Sequence, residues 1–215
     1  MATTAVDTPV RSGRPTREQA EARKAALLDR ALDHFLERGY EQATIEAIAA
    51  DVSMTKRTVY ARYADKAALF LAAVGRGIER LALSPDRIAA SRRDDLEETL
   101  INLAKLRIDL VSTAQGLKLQ RIINTESYRF PQIFTTYYEV AALPTVRFLA
   151  EVLEEEAAAG RLVVNDAVLA ANTFMSMVVG GPVRFITAGH PLAAEDIDAR
   201  VAFAVRLFLQ GTRPR

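Results

Sequence analysis

TIEAIAADVSMTKRTVYARYADKAALF, residues 44–70, sets three helix starts in close succession. Thr44, Thr55 and Asp65 each carry a side-chain oxygen that can accept from the free N–H groups of the turn that follows. Thr44 opens IEAIAADV, with Ile45, Ile48 and Ala49 on its buried side. Ser53-Met54 make a tight connection, and Thr55 opens a short third helix running to about Tyr63. A projection at about 100° per residue puts Lys56, Arg57, Tyr60 and Ala61 on one face, with Val59 and Tyr63 toward the other. Asp65 opens a fourth helix, KAALFLAAVGRGIERLAL.

Upstream, Leu28, Leu32 and Phe35 recur at helical spacing between charges, so a first helix is expected from about Arg17 to Arg38, capped by Gly39. Residues 1–16 are small, polar and proline-containing and read as a flexible arm. Downstream, SPDRIAASRRDD reads as a loop, and amphipathic segments follow at roughly 94–113, 115–128, 131–158, 166–188 and 194–210. Pro131 suits the first turn of its helix, Pro144 should kink or divide that helix, and Gly160 ends it. Gly180-Gly181 before Pro182 should bend the next. No stretch alternates with period two, so the expected fold is all-α.

Composition narrows the chemistry. Half of the 215 residues are hydrophobic, enough for a sizeable core. Lys+Arg is 28 and Asp+Glu 27, and residues 1–67 hold 11 cations and 10 anions, so a nucleic-acid argument must rest on local clustering. The absence of cysteine excludes disulfides, thiolate metal sites and cysteine nucleophiles. MATTAVDTPVRSGRPTR has no secretion-signal core, and no run reaches about eighteen uninterrupted apolar residues, so a cytoplasmic protein without a membrane partner is expected. His34 and His190 are far apart, lack ligand-spaced companions and are expected at the surface; no metal site or cofactor is expected. Glu154-Glu155-Glu156 reads as a solvated helix end, and no phosphate-cradling glycine loop or nucleophile elbow occurs, so an enzyme is not expected.

The second and third helices with their turn have the lengths of a helix-turn-helix, whose second helix enters the major groove while the first braces it across the backbone. The residue types suit that role. Lys56 and Arg57 can pair guanine edges or phosphates, Tyr60 can donate to a phosphate, and Ala61 allows close approach to a thymine methyl. Thr44 and Lys66 stand at helix N-termini, where free N–H groups favour a phosphate oxygen. A solvated amphipathic helix could carry the same cations; the order of all four elements favours DNA.

The 44–70 run aligns without a gap with the signature of TetR/AcrR-type transcriptional regulators, and LLDRALDHFLERGYEQA, residues 27–43, resembles that family's first helix. The GRP of residues 13–15 also recurs ahead of that helix in many members. The resemblance covers about residues 13–72. It implies that Thr44, Tyr60 and Lys66 contact phosphates, and that Thr55, Lys56 and Arg57 contact bases and backbone. Arg62 occupies a position where the family often has histidine; it projects to the flank, toward a phosphate or an internal ion pair. Ser53 stands where the turn usually has glycine, and Asp51 sits close to the DNA-facing side.

KLQRIINTESYRFPQIFTTYYEVAALPTVRFLAEVL, residues 118–153, resembles the C-terminal domain of an AefR-like branch. The resemblance implies a DNA-binding domain over 17–65 and a helical domain over 66–215 that binds a small molecule and dimerises. The last two helices would form a four-helix bundle with a symmetry mate, with Ala171, Ser176 and Gly180 letting backbones come close. A ligand cavity would lie between helices 4 to 8. Candidate linings are Phe70 on helix 4, Leu103 and Arg107 on the next long helix, and Arg121 and Asn124 after them. Tyr137, Tyr138 and Phe148, then Phe174 and Met177, complete the set, and the composition favours a lipophilic or aromatic ligand. The expectation is a homodimeric repressor released from its operator by that ligand; the alternative is a helical small-molecule carrier or sensor that does not bind DNA.

Overall fold

The computed structural model describes residues 16–214, so the expected arm, apart from Thr16, lies outside the described residues. Among these the chain is helical without a strand: α1 Arg17–Gln42, α2 Ile45–Asp51, α3 Lys56–Tyr60, α4 Lys66–Arg80, α5 Pro85–Ala89 and α6 Leu96–Ser112. There follow α7 Ala114–Glu126, α8 Gln132–Thr136, α9 Leu143–Ala158, α10 Ala167–Met175, α11 Gly181–Thr187 and α12 Ala194–Thr212. The three expected caps form. Thr44 accepts from the Ala47 N–H, Thr55 from Thr58 and Asp65 from Ala68. Gly39, at φ 74°, breaks the regular course of α1 and turns Tyr40 inward. Two expectations are corrected. α3 stops at Tyr60 rather than Tyr63, and SPDRIAASRRDD is not all loop, because Ser84 caps α5 with Pro85 at its first position.

The buried apolar residues form two cores. The first joins α1–α4 to α7, α8 and residues up to Ala141. Its centre is aromatic: Phe70 meets Phe35 at 4.8 Å, Tyr40 at 5.0 Å and Phe130 at 5.2 Å between ring centroids. Asp29 of α1 accepts from Arg76 at 2.5 Å and pairs with Arg80 at 2.6 Å, fastening α4 along α1. The second core packs α6, α9, α10 and α12, with Leu100, Leu103, Leu149, Leu153 and Phe174 fully enclosed. Leu110 touches both.

Both interior prolines act on their helices, by one device. A proline has no N–H, and its ring clashes with the carbonyl four residues earlier. Ahead of Pro144 the chain widens into π-helical turns over Tyr137–Ala142, closed by the Leu143 N–H donating to the Tyr138 carbonyl. Ahead of Pro182 it does so over Ser176–Gly180. Residues 167–187, with this interruption, are long and apolar enough to cross a membrane by length and composition. They are built instead into the bundle, against α9 and α12.

Candidate nucleic-acid interface and ligand cleft

Val59 is fully buried and Tyr63 half-buried, so α3 is held against α2 and the first core by the face expected to pack. The opposite face is solvent-facing: Thr55, Lys56, Arg57, Tyr60, Ala61 and Arg62 are all exposed, as is Thr44 at the start of α2. Lys56 lies over the Tyr60 ring, 5.7 Å from its centroid, and its ammonium pairs with Glu46 of α2. That bond holds the Glu46 carboxyl below its usual range. Glu46 is the member of this surface that the residue pattern did not reveal; its place on the exposed side of α2, opposite the start of α3, was the available signal. Arg57 and Arg62 make no side-chain ion pair among the described residues. Arg62 thus takes no internal ion pair of the kind its flank position allowed.

Lys66 points back along the fold. Its ammonium donates to the Glu41 carbonyl at 2.9 Å and lies 4.7 Å from the Tyr40 centroid. Arg129, three residues beyond α7, stacks on the same ring at 4.6 Å and pairs with the Glu41 carboxylate. The segment just before α2 is therefore clasped by a residue from the C-terminal half. Asp51 is turned away from the α3 face, accepting from His34 Nε2 at 2.9 Å, and that bond keeps its carboxyl below the ordinary range. His34 is buried, not at the surface as expected, because it stands on the inner side of α1. His190 is exposed.

A cleft of about 420 Å³ opens between α6, α7, α9 and the two π-helical segments. Of the expected lining residues it includes Arg107, Tyr137 and Tyr138. The others lie elsewhere. Phe70 fills the first core, and Leu103 and Phe174 are fully buried in the second, where Phe174 meets Phe208 at 5.1 Å. Phe148 and Met177 are half-buried against that second core. Arg121 is exposed and donates to the Thr187 carbonyl at 3.5 Å, and Asn124, one turn too far along α7, accepts from Gln120 at 3.3 Å. The lining also takes in Gln120, Phe134, Thr145, Val179 and Arg184. Phe134, four before Tyr138, and Arg184, the sole charge in 167–187, were visible signals. Gln120 and Thr145 were not. A groove of about 450 Å³ along α1 and α4 is walled largely by Glu21, Lys24, Arg76 and Glu79, and no unpartnered buried polar atom faces it.

Residues 27–73 match the family described as bacterial regulatory proteins of the tetR family, and residues 98–211 match the AefR-like transcriptional repressor C-terminal domain, more than half of the chain. The chain belongs to the TetR family. A flavonoid-responsive regulator, FrrA, is 31% identical to this TetR-family chain, with a TM-score of 0.71 over 91% of it and 99% of FrrA. A Mesorhizobium loti protein described as a TetR-family transcriptional regulator superposes with a TM-score of 0.76 over 93% of this chain and 100% of that one. At 23% identity it speaks for the fold alone. An HTH-type transcriptional regulator of Mycobacterium tuberculosis is 40% identical over 74 residues, spanning 34% of this chain and 36% of that relative. The chain thus spans about a third of the length of the curated relatives it matches, and these likenesses support DNA-binding transcriptional regulation.

Proposed function

We propose that this regulator is a homodimeric cytoplasmic repressor that leaves its operator when a small aromatic ligand occupies the cleft between α6, α7 and α9. The DNA-facing group is Thr44, Thr55, Lys56, Arg57, Tyr60, Ala61 and Arg62, and Lys66 joins it when its ammonium exchanges the Glu41 carbonyl for a phosphate. The carrying observation is the exposed row on α3 beside a buried Val59, since a helix pinned on one side and open to solvent on the other can enter a groove. Dimerisation through α10–α12 is supported by apolar side chains left in solvent there: Leu169 and Phe203 are each 62% exposed, and Leu207 is 51% exposed. A dimer also presents two recognition helices to half-sites about 34–36 Å apart. The aromatic ligand class is supported by Phe134, Tyr137 and Tyr138 along one wall and by the likeness to a flavonoid-responsive regulator.

Release would run through α8. Its C-terminal continuation carries Tyr137 and Tyr138 in the cleft, and its N-terminal approach carries Arg129 and Phe130 against Tyr40. A ligand that displaces the two tyrosines would shift the clasp just ahead of α2, and a small change in helix spacing loses salt-dependent phosphate contacts.

Anisotropy titration of fluorescent DNA from the gene's own upstream region tests the reading. Lys66→Ala should weaken binding to all sequences alike and lower the salt slope by about 1, whereas Lys56→Ala and Arg57→Ala should also relax preference at particular bases, by about 1–3 kcal/mol. Unchanged binding in all three variants would contradict the placement, and no DNA binding by the wild type would favour the carrier alternative.

A further inference from the structure

Resting on the cleft reading above, we infer that the ligand is an aromatic acid: an apolar ring system bearing an ionised oxygen held by Arg107 and a hydroxyl held by Gln120. Several polar groups lining the cleft are buried without partners. Arg107 is 3% exposed, yet it forms no ion pair and its Nη1 finds no hydrogen-bond partner in the protein. A guanidinium cannot shed its charge to relieve burial, so it calls for an anion. The lining offers none. It contains two arginines, Arg107 and Arg184, and neither Asp nor Glu.

Two further buried polar atoms on the same lining lack partners. Thr145, 1% exposed, leaves its hydroxyl unmatched, and Gln120, 9% exposed, gives its N–H to Asn124 at 3.3 Å while its Oε1 accepts from nothing. Of the five orphaned buried side-chain atoms among the described residues, three thus belong to residues that line this one cleft. Buried polar atoms are ordinarily satisfied, and an exception asks for a missing partner. An anionic oxygen answers Arg107 and the Thr145 hydroxyl, and a ligand O–H answers the Gln120 acceptor. Phe134, Tyr137 and Tyr138 supply the surface for the ring between them.

The test compares hydroxynaphthoate with hydroxynaphthamide, its uncharged counterpart of the same shape, by calorimetric titration of the full chain near pH 7.5. The wild type should bind the acid at least about tenfold more tightly, the usual worth of a hydrogen bond to a charged group. Arg107→Met should fold with a melting midpoint no lower than the wild type, because it removes an unpaired buried charge, and should bind acid and amide alike. Arg107→Lys, which keeps the charge without the fork, should retain part of the preference. Equal binding of the two probes by the wild type, a preference that survives Arg107→Met, or no binding of either probe at millimolar concentration overturns the inference. Val179→Trp, which fills the cleft, separates the two levels. If it abolishes binding of both probes but the wild type shows no preference, the cleft stands and the acid class falls. If binding is indifferent to it, the cleft reading falls too.

Discussion

Ser53 occupies the turn of the helix-turn-helix with φ 52°, the only positive φ outside glycine among the described residues. In that left-handed region Cβ crowds the following carbonyl, which glycine avoids. The departure from the family's usual glycine is therefore a small strain tolerated by the surrounding caps. Ser53→Gly should raise the free energy of urea unfolding by about 0.5–1 kcal/mol without altering operator affinity, and Ser53→Val should lower it. An unchanged midpoint for Ser53→Gly would place the strain elsewhere. Two carboxylates of α2 meet different fates at the same scale. Glu46 neutralises Lys56 on the exposed side, so that pair must open or be shared when a groove is entered, while Asp51 is drawn to His34 and away from it.

At the scale of elements, the two π-helical segments have a common cause and a common consequence. Each precedes a proline, and each faces the cleft: Tyr137 and Tyr138 from one, Ser176 and Val179 from the other. Widened turns of this kind recur at functional sites because they offset side chains from the regular helical phase. The run from α7 to the first of them also carries the clasp. Arg129 is half-exposed at the surface, where an ion pair contributes little to stability, so its value lies in position. Arg129→Ala should leave the melting midpoint and operator affinity nearly unchanged, while the loss of DNA affinity caused by hydroxynaphthoate shrinks by about fivefold or more. Equal release in variant and wild type would show that the signal takes another route.

For the whole molecule, the apolar side chains that α10–α12 leave outside are the ones the monomer cannot use. Of the three residues named for close approach of backbones, Ala171 is fully buried within the chain's own core, whereas Ser176 and Gly180 are exposed. Phe203 and Leu207 are one turn apart on α12 and both in solvent. Phe203→Glu with Leu207→Glu should lower the mass at sedimentation equilibrium from twice the chain mass to the chain mass. It should also cost about a hundredfold or more in operator affinity, since two linked half-site contacts become one. Persistence of the doubled mass would move the interface off this face.

The helix-turn-helix could be read from the residues because it is built from short-range signals. Three caps, one glycine and the spacing of Ile45, Ile48, Ala49 and Val59 act within a turn or two of themselves, and they hold in the fold. The helical class of the C-terminal half and the disturbance at Pro144 and Pro182 were local in the same sense. The cleft was not. Phe70, Leu103 and Phe174 are as apolar as any lining residue, and only their packing partners make them core. Conversely, Gln120 and Thr145 look like ordinary helix-surface residues until α6, α7 and α9 close around them and leave the Gln120 Oε1 and the Thr145 hydroxyl without partners. Whether a side chain is satisfied depends on what stands opposite it, and that is a property of helices far apart in the chain.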